Sequence, residues 1–213
     1  MKILLIEDTV EEAEFAMEAL KVHQLSLATD YAGFQEQLKL QPELVLSDLY
    51  FPYGAIEENL KQRFRKETLN RFDTFISTHH QTNPIAEAIE VIFKTGVFGN
   101  TLDNYFSAMK NDPIVQMPKF QEQIRDKWNE YQTNKTYCLL REEMNLDQHL
   151  LPLGLFVSEE CQKQNIPCVI VTSEYHHGVK FQPFSNSAGP YFDRLTDGHK
   201  QWQEAVQRSM QNR

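Results

Sequence analysis

Ile3-Leu4-Leu5-Ile6-Glu7-Asp8 is an unbroken apolar run that ends in two carboxylates. Strand side chains point to opposite faces in turn, so four successive apolar residues suit a strand covered on both sides. The run is too short, and too soon interrupted by acids, for a signal-peptide core or a membrane span. Leu44-Val45-Leu46-Ser47-Asp48 repeats the pattern, and Pro167-Cys168-Val169-Ile170-Val171 repeats it again before Thr172 and Ser173. Between these runs lie helical signals. Thr9 with Glu12 three residues on spells a capping box, with Val10, Ala13, Met17 and Leu20 along one face. Leu25 to Thr29 reads as a second strand, and Asp30 as the cap of a helix bearing Phe34 and Leu38 and stopped by Pro42. Further on, Leu153 to Gln164 reads as a helix and Tyr191-Phe192 as a short fifth strand. Trp202, Ala205, Val206, Ser209 and Met210 mark the apolar face of a last helix. Alternating strands and helices predict an α/β fold with a parallel sheet, whose binding residues gather at the carboxyl edge of the strands.

From Pro52 to about Asn145 no strand-like run occurs. Ile85, Ala88, Ile89, Ile92 and Phe93 recur at helical spacing after an Asn83 cap and Pro84. Leu102, Tyr105, Phe106 and Met109 form a second stripe; Phe120, Ile124, Trp128 and Tyr131 form a third, and Ile56, Leu60 and Phe64 a weaker one. Such stripes read as core, and residues 53–145 are expected to form an all-α insertion between a discontinuous α/β domain of residues 1–52 and 146–213.

The net charge of −9 over 213 residues opposes broad attraction to nucleic acid or anionic membranes, so neither is expected as a direct partner. Cys138, Cys161 and Cys168 form no CxxC pair, which fits a reducing cytoplasm. His79-His80 and His176-His177 have no spaced Cys or acidic partner to complete a transition-metal set. No glycine-rich nucleotide loop is present.

Glu7, Asp8 and Asp48 converge if the sheet forms as read. Acids at strand ends often only cap a helix or face water. A converging cluster, however, suits a hard divalent cation, and predicts magnesium. A carboxylate beside such a cation can act as a nucleophile toward phosphorus.

In order along the chain, these segments resemble the receiver domain of two-component response regulators, over residues 1–52 and about 147–213. Ile3 to Asp8 is similar to that family's first strand and acidic pair. Asp48-Leu49-Tyr50-Phe51-Pro52 resembles the acceptor aspartate with its following proline. Gly154 resembles the glycine that opens the family's third helix, and Ile166 to Ser173 its fourth strand with a terminal hydroxyl. The resemblance implies a flavodoxin-like, doubly wound five-stranded sheet of order 2-1-3-4-5. It implies magnesium held by Glu7, Asp8, Asp48 and the Tyr50 carbonyl, and phosphorylation of Asp48 by a histidine kinase, a phosphotransfer protein or a small phosphodonor. Thr172 would bind a phosphoryl oxygen and Tyr191 would follow it as the switch aromatic.

Arg194-Leu195 stands where the family has lysine and proline. Arginine keeps the charge, but its planar fork differs from an ammonium ion. The expected function is a cytoplasmic phosphorelay switch, not an enzyme beyond its own phosphorylation and dephosphorylation. It would act through protein contacts, with residues 53–145 as the candidate output, and without a DNA-binding module. The alternatives are a degenerate receiver serving as a phosphate-independent scaffold and, more remotely, a magnesium-dependent phosphatase.

Overall fold

A computed structural model describes residues 1–79, 101–146, 151–172, 182–184, 191–193 and 198–211. The expected helix over Ile85–Phe93 lies outside the described residues. The elements are β1 (Lys2–Ile6), α1 (Val10–Ala19), β2 (Gln24–Ala28), α2 (Tyr31–Leu38), β3 (Leu44–Ser47), α3 (Glu58–His79) and α4 (Leu102–Ala108). They continue with α5 (Pro118–Leu146), α6 (Leu153–Lys163), β4 (Cys168–Thr172), a 3-10 turn (Gln182–Phe184), β5 (Tyr191–Asp193) and α7 (Gly198–Gln211).

The fold is α/β with a parallel sheet. Strands β1 to β4 run in the order β2-β1-β3-β4, and the three-residue β5 pairs in parallel with the free side of β4. The apolar runs divide residue by residue between two cores. Leu4, Ile6 and Val45 pack with Phe34 and Leu38 of α2 and with Phe156 and Val157 of α6. Ile3, Leu5, Leu44 and Leu46 pack on the other side with Ala16 and Leu20, and with Trp202, Ala205 and Val206 of α7. Both faces are covered, which is why these strands carry no polar alternation.

Two helix faces differ from the sequence reading. On α1 the buried positions are Ala13 and Ala16, followed by Leu20, while Val10 is 67% and Met17 42% exposed. Helix α1 packs closely on α7, its buried positions are alanines, and the larger side chains are turned out. On α7, Met210 is exposed for a similar reason, the contact being filled by Trp202, Ala205, Val206 and Ser209.

The chain divides into two compact units, Met1–Asp73 with Leu140–Arg213, and Thr74–Leu139. Both divisions fall inside helices, α3 and α5, rather than at the loop boundaries 52/53 and 145/146 read from sequence. The cause is visible at the start of α3, where Ile56 just before the helix and Leu60 and Phe64 in its first half pack into the sheet core. Phe64 is buried there with its ring centroid 4.8 Å from Tyr31 and 4.3 Å from Phe156. Arg71 pairs with Glu159 of α6 and lies 5.6 Å over Phe156, and Arg141 forms a two-pronged ion pair with Asp73. Phe184 of the 3-10 turn packs on Phe72.

The unit Thr74–Leu139 has its own small core of Leu102, Phe106, Val115 and Ile124, against which Phe120 and Trp128 pack. Thr101 caps α4 by accepting the Asn104 N–H at 3.2 Å. Asp112 Oδ1 accepts the N–H groups of Ile114 and Val115 in the turn that follows.

Candidate functional site

The carboxyl edge of the sheet is assembled by register. Ile6 of β1 lies beside Ala28 of β2 and Ser47 of β3, so the residues that follow each strand emerge together. The Asp48 N–H donates to Ile6 O at 2.9 Å and the Glu7 N–H to Ala28 O at 3.0 Å, extending the ladder by one residue on either side of β1. Glu7, Asp8 and Asp48 each offer a carboxylate oxygen, and the three oxygens lie within 4.8 Å of one another. Glu7 and Asp48 are buried and Asp8 is exposed.

Glu7 also accepts the Thr9 N–H at 3.2 Å through Oε1. This corrects the capping-box expectation: Thr9 is the N-cap of α1 by its backbone, but its side chain makes no cap hydrogen bond. The buried carboxylate beside the helix start takes one of its backbone donors instead.

Gly154 fixes the other side of Asp48. Its N–H donates to Leu49 O at 3.0 Å, and a Cβ at this position would lie 2.4 Å from the Asp48 carbonyl oxygen. Only a residue without a side chain lets the start of α6 approach the backbone beneath Asp48 this closely. Ser47 Oγ donates to the same Asp48 carbonyl at 2.7 Å. The loop beyond, through half-buried Tyr50, is stitched to α2: Pro52 O and Tyr53 O accept the N–H groups of Tyr31 and Ala32. Gly54 there has φ +66°, with Asp30 directly over the position of a Cβ. Asp30 itself caps α2, its Oδ1 accepting the Gly33 N–H at 2.6 Å.

Thr172 is buried at the end of β4, opposite Asp193 of β5, and Tyr191 pairs with Ile170 in the backbone ladder. Arg194, Ser173, His80 and the pair His176-His177 lie outside the described residues.

Two features escaped the sequence. The thiols of Cys161 and Cys168, from the end of α6 and the start of β4, meet in a hydrogen bond that, with burial, pushes the Cys168 thiol well up from its ordinary range. Their separation in sequence is not a CxxC spacing, and only the turn at Asn165, with φ +56°, brings them together. Tyr31 is the second feature. It is buried with its hydroxyl on a cavity, and burial followed by the Glu160 charge raises the phenol above its ordinary range.

The donor set of the acidic edge fits a hard divalent cation: three carboxylate oxygens converge, two from buried side chains. Glu7 and Asp48, both ionised within 4.8 Å, would repel by about 3.5 kcal/mol at an effective dielectric of about 20, a cost that a cation offsets. No protein-family model, curated protein or solved structure matches this chain. Among the described residues, no helix is long and apolar enough to cross a membrane.

Proposed function

We propose that the chain is a phosphorylation-dependent signalling switch of the response-regulator receiver kind, with Asp48 as phosphoryl acceptor and protein contacts as its output. The observation that carries this reading is the meeting of Glu7, Asp8 and Asp48 at the carboxyl edge of a parallel sheet. The five-strand order with a helical insertion after β3, read as a receiver variant, belongs to the same proposal. Glu7, Asp8 and Asp48 would hold magnesium, with the Tyr50 carbonyl as a further ligand. Magnesium, when bound, supplies positive charge against the phosphoryl oxygens.

The residues divide the work. An Asp48 carboxylate oxygen forms the new bond to phosphorus as the donor's bond to phosphorus breaks, and the donor leaves with that electron pair. Glu7, anchored by the Thr9 N–H, holds its charge at a fixed place, and Gly154 and Ser47 hold the Asp48 backbone. Thr172 donates its hydroxyl to a phosphoryl oxygen, Arg194 supplies the counter-charge, and Tyr191 follows the hydroxyl. A histidine kinase or phosphotransfer protein is the phosphodonor, and residues 53–145 carry the contact to a downstream protein.

Acetyl phosphate and magnesium, followed by intact-mass measurement, test this. The wild type should gain one phosphoryl group and Asp48→Asn none. If the wild type gains nothing from any donor, the degenerate-receiver scaffold takes the place of this reading.

A further inference from the structure

Between α2, α3 and α6 lies a cavity of about 360 Å³ that shares no lining residue with the acidic edge. It falls within the size range of small-molecule sites. Its walls are apolar where Leu38, Phe64 and Phe156 line it. Two acids also line it, and both are engaged: Glu159 by Arg71, and Glu160 by Lys163 and Gln164, which keep Glu160 below its usual range. Two further donors line the cavity. The Tyr31 side chain is 95% buried by its 5% exposure, and its hydroxyl has no hydrogen-bond partner among the described residues. Arg63 uses Nε toward Glu67 at 2.8 Å, its guanidinium lies 5.8 Å over the Phe64 ring, and the charges of Glu159 and Glu160 act on it, while its terminal amino groups make no hydrogen bond among the described residues.

We propose that this cavity binds a small organic carboxylate with a flat apolar body, the carboxylate accepting from the Tyr31 hydroxyl and the Arg63 guanidinium. The two donors present O–H and N–H groups but no acceptor charge of their own, which selects an anion over an ammonium ion. The charges of the lining acids are partly offset by Arg71 and Lys163, and the three cations Lys39, Arg63 and Lys163 line the same cavity as the two acids. Tyr31 also stays protonated across the neutral range, because burial disfavours the phenolate, and so remains a donor. The aromatic rings of Phe64 and Phe156 offer the body an apolar surface.

Titration calorimetry of the full chain with 2-naphthoate, 2-naphthamide and 2-naphthylmethylammonium tests the proposal, with Trp202 fluorescence verifying the fold of each variant. Naphthoate should bind saturably, the ammonium compound more weakly, and Tyr31→Phe and Arg63→Gln should each weaken naphthoate about tenfold, as loss of a charge-assisted hydrogen bond requires. The inference is overturned if naphthoate shows no saturation up to about 10 mM, beyond the range in which so small a ligand retains measurable affinity. Tighter binding of the ammonium compound, or wild-type affinity in both variants, overturns it as well.

Discussion

Gly154→Ala inserts a methyl group where the backbone of another element already is. The new Cβ would stand 2.4 Å from the Asp48 carbonyl oxygen, 3.0 Å from Leu49 Cα and 3.2 Å from the Asp48 carbonyl carbon. A relaxed carbon–oxygen contact is about 3.3 Å, so the start of α6 has to withdraw by about 0.9 Å. Overpacking of this kind costs about 1–3 kcal/mol. Stretching the Gly154–Leu49 hydrogen bond adds up to about 1 kcal/mol, and alanine's better helix propensity returns about the same. A net loss of about 2 kcal/mol, with an m-value of about 2 kcal/mol/M, lowers the urea midpoint by about 1 M. Trp202 is buried in the sheet unit and Trp128 belongs to the other, so a Trp128→Phe background makes fluorescence report the sheet unit alone. Gly33→Ala is the control: the nearest atoms to its Cβ would be Asp30 Oδ1 at 3.2 Å, Ala28 Cβ at 3.4 Å and Ala28 Cα at 3.7 Å, so a side chain need give by only a few tenths of an ångström, and stability should stay within about 1 kcal/mol of wild type. A Gly154→Ala protein as stable as wild type would refute the close approach, and with it the account of how the Asp48 backbone is held. If the approach is real, the variant should also accept phosphoryl groups more slowly than Gly33→Ala.

Phe64→Ala should destabilise the Trp202-reported transition by about 3–5 kcal/mol, since the ring is fully buried among Tyr31 and Phe156. An unchanged Trp202 transition would place α3 outside the sheet core. In alkali, Tyr31 holds its proton to a higher pH folded than unfolded, because burial and then the Glu160 charge disfavour the phenolate. Its contribution is therefore full below about pH 10 and falls as pH rises from there toward the folded value, by up to about 1.4 kcal/mol per pH unit. Tyr31→Phe should flatten that decline in urea melts above pH 10, and an unchanged slope would count against the buried phenol.

The sheet was legible because covered strands leave an unmistakable trace, as in Ile3 to Ile6, and the acidic edge followed because parallel strands deliver their carboxyl ends to one side. Periodicity marks an apolar face without naming what covers it. The Ile56–Leu60–Phe64 stripe therefore reads as part of the insertion, although it packs on α2 and α6. On α1, side-chain size does not foretell burial: Val10 and Met17 are exposed, and the buried positions are Ala13 and Ala16. Cys161 and Cys168 meet through a positive-φ turn, and the Tyr31 hydroxyl faces a cavity formed by three separate helices. No local pattern announces either.

The parallel pairing of β3 with β4 joins segments separated by about 120 residues of chain. Closing so long a loop costs about 4 kcal/mol before any contact rewards it, whereas β1, β2 and β3 are near neighbours in sequence. All three acids belong to that early segment, so during refolding the acidic cluster should be gathered before the strand bearing Thr172 arrives. Pulse-labelled amides of β1 would then gain protection ahead of those of β4, and a nascent chain would hold its acidic cluster before it acquired the strand that carries Thr172.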